Sequence, residues 1–327
     1  MGRLCAWACW ALGACALLAA ASHPAQATFT PLYVIATTNE PGKIDGIVDE
    51  SGTLLSPAIV SSPATKLTDL ATQNISPTQD EIWAIRNTAG SNPAALFKGA
   101  STILVGVLTG VTSSFQSAAT TTSQIQANGK GPNALAIDPA TGIMYAMASQ
   151  TDILYTVDYL NPTGTCPATC QVGVSAVGSF NITSLPGGGP LPTGATFTSA
   201  GDLEFLGGVL YGTIYLDAQG SANDKTWLAT INPTTGAATL IGQTNYGTNN
   251  IRIDSLARSQ DGTILYGIGA STLYRINVAT GALTFVVTIS GLNSVGATGV
   301  LVPEPGAIAL FATGLAGLAA LRRRRRH

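Results

Sequence analysis

Three stretches of this chain are copies of one short pattern, and that repetition limits the fold more than any other feature. Leu154-Tyr155-Thr156-Val157-Asp158 runs into Asn161-Pro162-Thr163-Gly164, and Trp227-Leu228-Ala229-Thr230-Ile231 runs into Asn232-Pro233-Thr234-Thr235-Gly236. The third copy is Leu273-Tyr274-Arg275-Ile276, followed by Asn277-Val278-Ala279-Thr280-Gly281. Each is an alternating strand that ends in an Asn- or Asp-containing turn closed by Thr-Gly. The short polar side chain bonds its own backbone, and Gly supplies the positive φ that a hairpin requires. A further strand follows the turn, Ala238 to Gly242 in one copy and Leu283 to Val287 in another.

A second kind of hairpin precedes these copies. Asn133 to Ile137 meets Asp138-Pro139-Ala140-Thr141-Gly142 and continues as Ile143 to Ala146; Asp254 to Arg258 meets Ser259-Gln260-Asp261-Gly262 and continues as Ile264 to Gly267. Four short strands joined by tight turns make a unit of roughly 45–55 residues. Such units fall at about 66–110, 131–185, 194–245 and 251–291. A fifth is split between the ends, with residues 32–60 as its last three strands and Gly296 to Val302 as its first. Val111 to Ala127, rich in Ser, Thr and Gln, is expected to be a loop. The repeat resembles the β-propeller domains of secreted bacterial proteins. That resemblance implies an all-β ring of about five four-stranded blades, closed by pairing the N- and C-terminal strands, which would remove exposed sheet edges. A β-helix or a sandwich is the alternative.

The two ends read as addresses. Arg3, the apolar stretch Leu4 to Ala21 and the small residues of Ala25-Gln26-Ala27 make residues 1–27 a secretory signal peptide. Leu12-Gly13-Ala14-Cys15 is a competing lipoprotein-type box, but cleavage there would leave apolar Ala16 to Ala21 on the mature chain. At the other end stand Pro303-Glu304-Pro305, an uncharged run from Gly306 to Leu321, and Arg322-Arg323-Arg324-Arg325-Arg326. A helix over that run would reach only about 24 Å, short of the ~30 Å hydrocarbon core, so it inserts marginally. The arginines would stay on the cytoplasmic side. Residues 303–327 thus read as a processed sorting signal, with a permanent tail anchor as the alternative. This three-part order resembles the PEP-CTERM signal of Gram-negative bacteria. The resemblance implies export through the Sec machinery and an inner-membrane-tethered precursor with transient association through the C-terminal helix. It further implies cleavage by an exosortase-type enzyme and delivery to the cell surface or an exopolysaccharide matrix.

Between the ends lies a domain expected over 28–302. It holds 9 basic and 16 acidic residues, a net charge of −7 against −2 for the whole chain. An acidic balance without Lys/Arg clusters excludes a nucleic-acid partner. The two histidines, His23 and His327, both lie in the end segments. That excludes Ser-His-Asp and Cys-His catalysis and histidine-containing zinc sites from 28–302. Gly187-Gly188-Gly189 between prolines is a connector, not a phosphate loop. Cys166 and Cys170 flank Pro167-Ala168-Thr169, and in an oxidising compartment they read as a disulfide closing a small loop, with a metal or redox pair as the alternative.

In a propeller the first strand of each blade lines the central channel, so polar residues at equivalent positions converge. Those positions hold Asp69, Asn133, Asp202 with Glu204, and Asp254. Oxygen ligands in a ring suit Ca²⁺, an arrangement similar to that of calcium-dependent propeller lactonases. The competing reading is that these residues cap strands and satisfy turn amides. Asp45 to Gly52 misses the EF-hand spacing and reads as a hairpin turn at Glu50-Ser51-Gly52. Trp83 and Trp227 read as packing residues, and Asn181-Ile182-Thr183 as ordinary sequence despite its glycosylation pattern. No catalytic residue is assigned. The expected function is a structural or ligand-binding surface protein, with exopolysaccharide or a matrix protein as partner and no cofactor. A Ca²⁺-dependent hydrolase using the channel carboxylates is the alternative.

Overall fold

The computed structural model describes residues 31–38, 43–52, 59–60, 67–76, 79–86, 95–104, 107–111, 116–121, 132–149, 151–164, 171–218, 224–290, 292 and 294–299. The signal peptide, the Cys166/Cys170 pair and the sorting tail with Pro303, Glu304, Pro305 and Arg322 to Arg326 lie outside them. The described residues are nearly all β, and one turn of 3₁₀ helix, Pro186–Gly188, is the exception. They form a propeller-like set of small antiparallel sheets.

Two sheets follow the sequence units directly. One joins Thr196–Leu206, Val209–Asp217, Lys225–Ile231 and Ala238–Gln243 in order, and the other joins Ser255–Arg258, Leu265–Gly269, Thr272–Ile276 and Leu283–Thr288. A third four-stranded sheet draws on both chain ends. Its order is Ser294–Gly299, Pro31–Thr38, Lys43–Asp49, Ile59–Val60. Val34 stands opposite Gly299 and Ala36 opposite Ala297, antiparallel.

The remaining two units share one nine-stranded sheet, so among the described residues four sheets of four or more strands stand in place of the five units of the sequence. The unit beginning with Asp69–Ser76 and the unit beginning with Pro132–Ile137 meet at their outer edges. There Gln171 pairs with Thr120 and Val172 with Thr121, in parallel. The strand that makes this link, Gln116–Thr121, lies within the stretch expected to be a loop. Its residues are small or polar, so no hydrophobic alternation marks it, and backbone pairing on both edges holds it instead.

Burial follows from sheets packed face to face. Met144–Ala148 and Leu265–Gly269 are buried at every position, whereas outer strand Gln171–Ser179 alternates at its start. Apolar clusters fill the gaps between successive units: Trp83, Leu135 and Tyr155 in one, Phe205, Ile214 and Trp227 in the next, then Leu228, Leu256 and Tyr274. Trp83 sits edge-on to Tyr159, ring centroids 4.9 Å apart. Both tryptophans are thus interior, as their strand positions imply. The Tyr159 hydroxyl donates to Gly142 O at 2.9 Å, and burial, then the nearby Glu81, pushes its pKa up to about 12.

The Asn turns also join one sheet to the next. Asn232 Oδ1 accepts Thr234 N at 2.8 Å, Asn277 Oδ1 accepts Ala279 N at 2.9 Å, and Gly236 and Gly281 have φ of 76° and 75°. Each turn lays its Thr-Gly peptide against a glycine in the outer strand of the preceding unit, Gly178 for the first and Gly242 for the second. A Cβ at Gly178 would overlap Thr235 O, and one at Gly242 would overlap Thr280 O. The copy at Asn161 departs from this form, because its strand Ile153–Thr163 runs on through the expected turn.

Candidate functional site

The five residues expected at the channel divide into a sealed axis and an open mouth. Asp69, Asp202 and Glu204 are buried, with the two aspartates at 0% exposure. Their oxygens hold strands of neighbouring sheets together. Asp69 Oδ2 accepts Leu135 N, while Asp202 Oδ2 accepts Leu256 N at 2.6 Å and Ala297 N at 3.2 Å. Asp202 Oδ1 accepts Leu203 N at 2.6 Å. Glu204 Oε1 accepts Arg258 Nη1 at 2.7 Å, and its Oε2 accepts Gly299 N at 3.2 Å and Thr298 Oγ1 at 3.3 Å. Thr72 Oγ1 donates to Gly299 O at 2.5 Å.

Close approach of the inner strands makes this sealing possible. A Cβ on Gly296 would overlap Asp69 Oδ1, and one on Gly299 would overlap Arg258 O. Where an open channel was expected, the axis is filled with paired polar side chains. Among the described residues no group of three or more His, Cys, Asp or Glu is placed to hold a metal ion. Asp69 and Asp202 face each other, and Asp69 Oδ1 lacks a donor. Burial first, then the Asp202 carboxylate, pushes the Asp69 pKa well up. Burial pushes the Asp202 pKa well up too, against three amides that favour its ionised form, so the two buried carboxyls favour holding a proton between them.

Asn133 and Asp254 stand at the mouth. Asn133 Oδ1 accepts Ser199 Oγ at 3.0 Å, and Asp254 Oδ1 accepts Arg252 Nε at 2.6 Å. Burial raises the Asp254 pKa against the pull of Arg252. Beside them opens a cleft of about 500 Å³, lined by Ser149, Thr196, Thr198, Ser199, Ala200, Tyr215, Asp217 and Arg252. Ser149 bridges Ser199, and Ser199 N donates to Thr151 O at 2.9 Å, which fixes one wall to the neighbouring unit. A second cleft of about 450 Å³, between Thr151, Phe180, Asn181 and Ala195, shares Thr196 and Thr198 with the first. The Tyr215 hydroxyl donates to Asp224 Oδ2 at 2.8 Å, which sets the ring orientation and raises its pKa. The Arg252 side chain is 67% exposed. Hydroxyls, one phenol ring and one guanidinium make a surface that can hydrogen-bond a polyhydroxylated molecule. Thr196, Thr198 and Tyr215 have no distinctive motif; the two threonines alternate in Thr196–Leu206, and Tyr215 lies in the next strand, Val209–Asp217.

An acidic residue outside this set is more structural than its sequence implies. Glu50, at the expected turn, accepts both Arg275 Nε at 2.6 Å and Nη2 at 2.5 Å, and also the Tyr266 hydroxyl at 2.7 Å. These bonds tie the sheet of the chain ends to the Ser255–Thr288 sheet. Arg275 above all holds the Glu50 pKa below its ordinary value.

A search of the curated proteins found no match to this sequence. Among solved structures, a Bacteroides uniformis protein provisionally described as a 6-phosphogluconolactonase is similar at 14% identity, with 82% of this chain and 99% of that one covered and a TM-score of 0.38. A Bacteroides thetaiotaomicron protein of unknown function is similar at 13% identity, covering 83% and 64% of the two chains, with a TM-score of 0.41. The WD40 domain of Toxoplasma gondii coronin is similar at 12% identity over 80% and 51%, with a TM-score of 0.33. Among the described residues no helix is long and apolar enough to cross a membrane. Residues 301–325 match the PEP-CTERM protein-sorting motif, which implies an exported, membrane-passing precursor processed by exosortase and sorted to the cell surface.

Proposed function

We propose that this protein is a surface component of the extracellular matrix whose propeller-like domain binds polysaccharide without transforming it. The mouth cleft carries this reading. It gathers hydroxyls from Ser149, Thr196, Thr198 and Ser199 around Tyr215, beside a largely exposed Arg252. Sugar hydroxyls both donate and accept, and Ser, Thr and Tyr can answer them in either sense. The acidic groups of the axis support the non-catalytic side, because Asp202 and Glu204 are already engaged by amides and Arg258.

The test is co-sedimentation of full-length protein with the polysaccharide of the producing cells. Thr198→Val and Arg252→Ala are expected to weaken retention at least tenfold while leaving the melting temperature within a few degrees. Retention unchanged in both variants would remove the cleft as the binding site. New reducing ends appearing with the protein present would make it an enzyme.

A further inference from the structure

Outside the mouth cleft, a hairpin inserted between two sheets presents an aromatic surface. Asn245–Tyr246 pairs with Asn249–Asn250 as a separate two-stranded element, outside the four-stranded order on either side. Its base is bolted shut. The buried Thr244 donates its backbone N–H to Thr226 O at 3.0 Å and its hydroxyl to Ile251 O at 2.6 Å. The amides brace it further, since Asn250 Nδ2 donates to Asn245 Oδ1 at 3.1 Å and Asn250 Oδ1 accepts Thr226 N at 2.8 Å. The turn passes through Gly247 at φ 61°.

Rigidity of this kind holds Tyr246 in place over the last sheet. Its ring centroid lies 5.8 Å from that of Tyr274 and 6.3 Å from that of Phe285. Tyr274 beneath is only 7% exposed, but Tyr246 and Phe285 are 45% and 46% exposed. Two large rings left in water on a braced support are a costly surface for a soluble face. The surroundings limit what can cover it. Residues 226–251 and 276–303, which supply the hairpin and the strand of Phe285, contain no Asp, Glu, Lys or Arg, and of the cations that border them, Lys225, Arg252 and Arg275, the two arginines pair with Asp254 and Glu50. An uncharged surface of aromatic rings with amide neighbours complements an uncharged ligand that offers both C–H faces and hydroxyls.

We infer that Tyr246 and Phe285 form a stacking platform for sugar rings of a neutral polysaccharide, separate from the mouth cleft. This rests on the polysaccharide-binding reading and adds to it a second site and a ligand class. The aromatic faces take the C–H face of the sugar, and the Tyr246 phenol hydroxyl can meet its hydroxyls.

The test is native affinity electrophoresis of the full-length protein through gels containing dextran, mixed-linkage β-glucan or alginate. Retardation is expected with a neutral glucan and not with alginate. Tyr246→Ala and Phe285→Ala should each weaken it at least tenfold, and Tyr246→Trp should preserve it. Near-ultraviolet circular dichroism checks that each variant is folded, and Phe285→Leu serves if an alanine variant is not. Equal retardation of wild type and the folded platform variants overturns the inference. So does a concentration-dependent dimer abolished by Tyr246→Ala, which would make a second copy the occupant, or flotation with phosphatidylethanolamine–phosphatidylglycerol vesicles, which would make it lipid. Binding lost in Arg252→Ala but kept in Tyr246→Ala would sink the platform and leave the cleft reading standing. Absence of binding to any glycan by folded wild type would sink both.

Discussion

Arg258 Nη1 lies 2.7 Å from Glu204 Oε1, with the two side chains only 5% and 4% exposed. The pair spans the inner strands of adjacent sheets, and Glu204 also receives Gly299 N from the strand contributed by the C-terminal end. Removing one member of such a pair leaves a buried charge without its partner, at a cost of about 3–5 kcal/mol. Arg258→Met and Glu204→Leu are therefore each expected to lower the urea midpoint severely. The double replacement Arg258→Met with Glu204→Leu should be much milder than the sum, because it buries no charge. Additive losses in the cycle would contradict direct coupling.

Glu50 gives a weaker joint with an opposite environment. Arg275 is 42% exposed on its side chain, so solvent screens the pair and Glu50→Gln should cost only about 0.5–1 kcal/mol. The folded pKa of Glu50 is lowered from 4.5. Its contribution is present above that unfolded value and disappears as pH falls through the folded one. Stability of wild type and Glu50→Gln should converge in acid and separate toward neutrality, in denaturant titrations across pH 3 to 7.

The residues differ in how much of this was legible before the structure. The Asn turns are local devices, so Asn232, Asn277 and their glycines announce both turn and conformation. Unit boundaries follow from the same spacing. Glu50 meets Arg275 and Tyr266 more than 200 positions away, with |i−j| of 225 and 216, and no local pattern encodes a bond of that span. Asp69, Asp202 and Glu204 are recognisable as polar residues of inner strands, but only Asp69 stands at a strand start as expected, since Asp202 and Glu204 fall in the second half of Thr196–Leu206. Their burial depends on how closely the strands approach, which Gly296 and Gly299 permit; in sequence these look like ordinary strand glycines. Tyr246 and Phe285 are 39 positions apart and become one surface only when the hairpin docks. Gln116–Thr121 escapes because its pairing uses backbone and leaves no apolar trace.

The Gly178 and Gly242 junctions are a repeated device and should respond alike. Each glycine touches the backbone of the following unit's Thr-Gly turn, a neighbour that cannot swing aside. Gly242→Ala and Gly178→Ala are expected to destabilise by about 1–3 kcal/mol through forced separation of the strands. Gly207→Ala, where a Cβ meets nothing within 4 Å but φ is 58°, separates backbone strain from overlap. Its loss should be the smaller one.

Calcium provides a direct check on the axis. A ligand that binds only the folded state at 100 times its Kd adds about 2.7 kcal/mol, visible in a melt. With Asp202 and Glu204 committed to amides and Arg258, the melting temperature of the protein should be the same in EDTA and in millimolar Ca²⁺. A melting-temperature rise that vanishes in Asp254→Asn would place a metal at the mouth and reopen hydrolysis.

Asp69 and Asp202 predict a pH effect in the opposite sense to Glu50. A carboxyl whose folded pKa is raised contributes fully below its unfolded value, 3.8 for Asp69, and that contribution is lost as pH rises toward the folded value. Asp69→Asn should remove this loss, since an amide can donate toward Asp202 through Nδ2 and still accept Leu135 N through Oδ1. The variant is expected to match or exceed wild type at pH 8 and to have the flatter stability profile between pH 4 and 8. Asp202→Asn should behave differently. Its single acceptor oxygen cannot serve Leu203, Leu256 and Ala297 as two do, and each amide left unsatisfied costs about 1–3 kcal/mol. If both variants lose stability equally at pH 8, the proton is not held on Asp69, and the two carboxyls are interchangeable.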